Sequence, residues 1–163
     1  MHFRGIWRIY LNPKNMHRAP VTPDKAALGP VAGGAVWLRP SHPMPGQFIK
    51  RCEGVETGLG VYGIGLMAGC PAPVACCMST SGLINFERPD NVERDVIYPD
   101  GDVDKLSDFD NRGFDSPGLS AAERAKLRSM EHGLTGTTIQ PQWRHGGDYL
   151  DQYVTLRKEF LGK

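Results

Sequence analysis

Residues 59–78 read LGVYGIGLMAGCPAPVACCM, and they lie inside a longer stretch, Thr57–Asn85, with no charged side chain in 29 residues. The run matches the roughly 20 apolar residues that cross a bilayer as a helix. Gly65 and Gly69, four apart, would let a second helix approach closely. Pro71 and Pro73 interrupt any such helix past its middle, because proline lacks the N–H and clashes with the preceding turn. Glycine also dilutes the apolar content. The segment therefore reads either as a membrane-contacting element or as a Gly-rich core piece.

Upstream, residues 12–47 carry Pro13, Pro20, Pro23, Pro30, Pro40, Pro43 and Pro45, with Gly29, Gly33, Gly34 and Gly46 among them. The run RPSHPMPG (39–46) predicts extended, polyproline-like chain. Only AVWL (35–38) has the composition of a short strand. At the start, HFRGIWRIYLN (2–12) places Phe3, Ile6, Trp7 and Tyr10 on one face of a helix, with Arg4 and Arg8 off it. The same residues alternate almost as well as a strand, but the helix is favoured. A basic amphipathic start without an acid before Asp24 has the composition of a mitochondrial targeting segment, or of a helix on an anionic membrane.

Downstream, residues 86–118 are polar and acidic, with VIY (96–98) as a short strand and turn chemistry elsewhere. Two helices close the chain. Ser120 and Glu123 form a capping box ahead of AAERAKLRSMEH, which Gly133 ends. Over 148–161, Tyr149, Tyr153, Leu156 and Phe160 form one apolar stripe, which predicts an anchoring helix.

Composition sets the overall expectation. Leu, Ile, Val and Phe make up 36 of 163 residues, close to the share of about one fifth below which a chain struggles to fold alone. Gly (20) and Pro (13) add unfolded-state entropy and withhold donors from regular ladders. The net charge of +1 hides an asymmetry: residues 1–51 sum to +7 and the rest to −6. The expected fold is mostly irregular with α-helices. It comprises a basic extended Pro/Gly-rich arm (1–56), an uncharged Gly-rich apolar segment (57–85), and an acidic loop with two C-terminal helices (86–163).

No motif names a reaction. Gly58, Gly60 and Gly63 spell G-x-G-x-x-G, which in a dinucleotide fold cradles a pyrophosphate at a helix N-terminus. The residues before it, KRCEGVET, do not read as an apolar strand, and no alternating strand–helix pattern follows. Asp100, Asp102, Asp104, Asp108 and Asp110 could converge on Ca²⁺, but they miss the EF-hand register, and a solvated acidic loop fits as well. Cys52, Cys70, Cys76 and Cys77 contain no CxxC pair and read as free, small apolar residues. His2, His17, His42, His132 and His145 form no catalytic spacing with them. Trp7, Tyr10 and Trp37 could stack on bases between the N-terminal cations, while the acidic body argues against a dedicated nucleic-acid binder.

The sequence thus predicts a non-catalytic accessory subunit of a membrane-associated complex, with a respiratory-chain complex in the mitochondrial inner membrane as the expected host. Its expected partners are other protein subunits and membrane lipid. No catalytic residue, cofactor or metal is assigned. The alternatives are a small NAD(P)-binding oxidoreductase using Gly58, Gly60 and Gly63, or a peripheral subunit of a ribonucleoprotein particle.

Overall fold

The computed structural model describes residues 5–15, 17–38, 48–100, 117–134, 136–139 and 149–162. The element order is β1 (Ile6–Ile9), β2 (Lys25–Leu28), β3 (Val36–Leu38), β4 (Ile49–Cys52), α1 (Val55–Met67), β5 (Val74–Cys76), α2 (Thr80–Asn85), β6 (Arg94–Tyr98), α3 (Pro117–Glu131), β7 (Gly136–Ile139) and α4 (Tyr149–Leu161). Strands β1 and β2 form an antiparallel ribbon, and the other five form one mixed sheet in the order β3-β5-β4-β6-β7. Within that sheet β3 runs antiparallel, while β5, β4, β6 and β7 are parallel neighbours.

This corrects the expected fold. The chain is an α/β protein rather than mostly irregular with α-helices. From β4 onward strand and helix alternate, a pattern that the sequence does not display on its surface. The five-stranded sheet draws strands from all three of the stretches 1–56, 57–85 and 86–163.

Polar residues hid the central strand. In β4, the sequence IKRC is buried at every position. Alternation sends Ile49 and Arg51 to one face and Lys50 and Cys52 to the other. The Arg51 guanidinium meets Asp95 of the neighbouring β6 with 2.7 Å between Nε and Oδ2, and its Nη2 donates to Ser129 Oγ of α3 at 3.0 Å. The Arg51 charge is thus buried with partners, as burial requires. On the opposite face, Lys50 Nζ reaches Gly65 and the last turn of α1, where carbonyls favour a cation.

The apolar interior is built from small residues. On one face, Ile49, Ala75, Cys77, Leu83 and Ile97 pack with Ala121, Ala122 and Ala125 of α3. On the other, Cys52, Val61, Val74, Cys76 and Tyr149 pack beneath α1 and α4. Counting only Leu, Ile, Val and Phe underestimates such a core.

Elements expected from sequence divide along the same line. Residues 6–9 are a strand rather than part of a helix. Pairing with β2 decides it: Trp7 and Ile9 pack on the core while Ile6 and Arg8 stay exposed. The expected extended arm, 1–56, contains β1, β2, β3, β4 and the start of α1, and its residues 39–47 lie outside the described residues. The central apolar run splits at Pro71 and Pro73 into α1 and the fully buried β5. Among the described residues, no helix is long and apolar enough to cross a membrane.

Helix α3 begins at Pro117 rather than at a Ser120 cap, since proline at the first helical position gives up an N–H that has no partner there. It ends before Gly133, whose φ is +73°. In α4, Tyr149 is buried and Tyr153 and Leu156 are half-buried, but Phe160 is 71% exposed. The stripe therefore docks at its N-terminal end only.

Candidate functional site

The register aligns three strand ends. Cys52 of β4 pairs with Cys76 of β5 on one side and with Tyr98 of β6 on the other. All three strands are parallel, so their carboxyl ends form one crest. From β4 the chain passes through α1 to β5, then crosses back through α2 to β6 on β4's far side. Such a reversal of strand order opens a crevice at the carboxyl ends, where α/β proteins bind ligands.

The residues at that crest are acidic. Glu53 follows β4 directly, Gly54 caps α1, and Glu56 and Thr57 lie in its first turn. Asp100 follows β6 after the buried Pro99. Thr57 Oγ1 donates to Asp100 Oδ1 at 2.5 Å, tying the first turn of α1 to the end of β6. A Cβ on Gly54 would lie 3.4 Å from Glu56 Oε2 and 3.7 Å from Asp100 Oδ2, so these two carboxylates flank the cap. Behind Asp100, a Cβ on Gly118 would lie 2.7 Å from its carbonyl oxygen, so the start of α3 backs the acid closely.

The third strand end is strained. Met78, two residues past β5, has φ of +70°, an uncommon value for a residue with a side chain. Its N–H donates to the Glu53 carbonyl at 2.6 Å, and the Cys77 N–H donates to the Cys52 carbonyl at 2.9 Å. These bonds extend the β4–β5 ladder to the crest and hold the strain there. Strained backbone of this kind gathers at functional sites.

The basic ribbon reaches the same crest. Arg18 sits on the ribbon through the Leu11–Arg18 bridge. Its Nη2 donates to Glu56 Oε1 at 3.3 Å and its Nη1 to Asp24 Oδ2 at 3.4 Å. Burial works to raise the Glu56 pKa. A hydrogen bond to its own backbone, with Lys25 and Arg18 nearby, outweighs that and holds the carboxyl below its usual range.

The residues singled out from sequence land in different places. Gly58, Gly60 and Gly63 lie inside α1 rather than in the turn before it, where Gly54 stands. Each lets another group close in. Gly58 faces the Cys76 sulfur, Gly60 the Tyr149–Leu150 backbone, and Gly63 the Tyr153 ring, which stands 2.6 Å from where a Cβ would sit. Gly60 and Gly63 serve the α1–α4 contact and Gly58 the contact with the sheet, not a pyrophosphate turn.

Of the five aspartates, Asp100 joins the crest, and Asp102, Asp104, Asp108 and Asp110 lie outside the described residues. Cys52, Cys76 and Cys77 are buried free thiols, and Cys70 is exposed. His17 and His132 are exposed, while His2, His42 and His145 lie outside the described residues. Trp37 packs on Phe86, with ring centroids 5.9 Å apart, which turns it from any stacking role.

Sequence reasoning missed Glu53, Glu56, Thr57 and Arg18. A signal existed: Glu53-Gly54 and Asp100-Gly101 each put an acid and a glycine just past a strand. It went unread because β4 was not recognised as a strand. Among the described residues, no three His, Cys, Asp or Glu side chains come close enough to hold a metal ion by themselves. Compared with protein-family models, with curated proteins and with solved structures, the chain matches none.

Proposed function

We propose that the strand-end carboxylates bind a divalent cation of the magnesium class and that the chain uses it to act on a phosphate ester, with a polynucleotide as the favoured substrate class. One observation carries the reading: Glu53 and Asp100 follow neighbouring parallel strands at the point where strand order reverses. Carboxylates suit hard cations. Mg²⁺ keeps several waters and is held by one or two carboxylates together with substrate phosphates, so a cage of three protein ligands is not required. The Thr57 hydroxyl fixes the Asp100 rotamer, as outer partners of metal ligands do. A cation there would polarise a phosphoryl oxygen and offset charge that develops on it.

The polynucleotide preference rests on the ribbon. Arg18 and Lys25 lie on it beside the crest, and such cations favour a phosphate backbone. Tyr10 is exposed, with the Arg8 guanidinium 5.9 Å from its ring centroid, a surface on which a base can stack.

The test is turnover of a single-stranded oligonucleotide and of nucleoside triphosphates with Mg²⁺ and with chelator. The reading expects Mg²⁺-dependent phosphoryl or phosphodiester chemistry that falls about a hundredfold or more in Glu53→Gln and Asp100→Asn, the scale of losing a group that positions a catalytic metal. Activity indifferent to chelator, or unchanged in both variants, contradicts it.

The expectation of an accessory subunit rested on a chain unable to close a core of its own. The two buried clusters remove that premise. Nothing in the fold or the comparisons bears on a respiratory-chain complex or on the mitochondrial inner membrane.

A further inference from the structure

Lys50 is a buried cation that the packing leaves unpaired. It lies on β4, is 7% exposed, and its backbone N–H donates to the Pro73 carbonyl at 2.9 Å. Its neighbour Arg51, on the other face of the sheet, meets Asp95 and Ser129. Among the described residues, the Lys50 side chain has no hydrogen bond and no carboxylate acting on it. A buried ammonium is costly without a partner. The carbonyls at the end of α1 do not account for it. Those of Ile64, Gly65 and Leu66 already accept from the Ala68, Cys70 and Gly69 N–H groups.

The ammonium is aimed at Cys70. Lys50 Nζ lies 2.8 Å from where a Gly65 Cβ would sit, and the Cys70 carbonyl oxygen lies 3.1 Å from the same point. Burial pushes the Lys50 pKa down, and negative charge on the Cys70 sulfur pushes it back up. The attraction is mutual. Burial, and then the same sulfur charge, push the Tyr98 pKa up, so that phenol stays neutral beside it. Cys70 is open to solvent, as are Ala68, Gly69 and Pro71 around it. It precedes β5, so it stands at the end of the sheet away from the acidic crest. An accessible sulfur thus has a buried, otherwise unpaired cation behind it.

We propose that Cys70 is a site of oxidation by hydroperoxides, with the Lys50 ammonium as counter-ion to the negative charge on its sulfur. The sulfur attacks one peroxide oxygen. An S–O bond forms as the O–O bond breaks, and two electrons pass from sulfur to the peroxide. The second oxygen leaves as hydroxide or alkoxide and takes up the proton that the thiol released. The products are the sulfenic acid and water or an alcohol. Cys52, Cys76 and Cys77 are buried, so a small external thiol returns Cys70 to its reduced form through a mixed disulfide. Lys50 is a positioning residue: it makes and breaks no bond to the peroxide.

The test is oxidation of the full chain by hydrogen peroxide, with the sulfenic acid trapped by dimedone and located by peptide mass spectrometry. Wild type should label at Cys70, and Cys70→Ser should not label. In Lys50→Met, which keeps the length of the stem, the rate should fall at least about tenfold, with Lys50→Arg faster than Lys50→Met because it keeps the charge. Native wild type should also label at Cys70 at least about tenfold faster than the same chain in urea, a comparison that needs no variant to fold. Equal rates in wild type and in a Lys50→Met that melts at the same temperature would overturn the proposal. So would a native rate no higher than the rate in urea.

Discussion

Cys52, Cys76 and Cys77 are each at most 3% exposed and line both faces of the sheet. Contact with Cys76 and then burial push the Cys52 thiol well up, and burial pushes Cys77 up to about 12. Since the thiolate is the reactive form, both stay inert at neutral pH. At pH 8, one thiol, Cys70, should react quickly with a disulfide reagent in the native protein, and all four after denaturation. Fast release from two or more native thiols would contradict the packing.

The Arg51–Asp95 pair makes the second residue-scale prediction. Arg51→Met leaves the buried Asp95 with only the longer, 3.9 Å contact to Arg88 and should lower unfolding free energy by about 3 kcal/mol in urea titration. Adding Asp95→Leu should recover part of that, because the buried carboxylate goes while Arg88 keeps its bond to the Glu93 carbonyl. These same residues were the least legible. Lys and Arg in a strand read as surface, and Ala and Cys do not register as a core. Only the partner strand shows that the charges are matched.

At the scale of elements, α1 packs against α4 more closely than helices with side chains can. Ala is favoured over Gly in a helix by about 1 kcal/mol, so propensity alone predicts that Gly60→Ala stabilises. The structure predicts the opposite sign. A methyl there meets the Tyr149 carbonyl, and overpacking should destabilise by about 1–3 kcal/mol or more in a thermal or urea melt. A more stable Gly60→Ala would show that α4 does not dock where described.

Helices α3 and α4 were legible because a surface helix displays its period, and Gly133 marks the end of α3, although the Ser120 box put its start too late. Strands β4 and β5 were not. In β5, buried on both faces, VAC has no alternation to read, and in β4 the ion pair inverts it. Missing those two strands hid the βαβ unit around α1. The acidic crest then looked like unrelated loop residues, with Asp100 as its one visible member.

For the molecule as a whole, the charge asymmetry acquires a meaning that composition alone did not give. The basic ribbon and the acidic strand ends meet each other, through Arg18 and Lys25 against Glu56, at the mouth of the sheet. The parallel strands reverse their order, their ends carry carboxylates, and the ribbon brings Arg18 and Lys25 beside them. The most direct test of this arrangement is a Mn²⁺ titration of wild type and Asp100→Asn, read as loss of the free-ion paramagnetic signal and competed with Mg²⁺. Saturable binding displaced by Mg²⁺ and weakened at least about tenfold in Asp100→Asn is the predicted result. Binding of equal strength in the two proteins, or none in wild type, would contradict it.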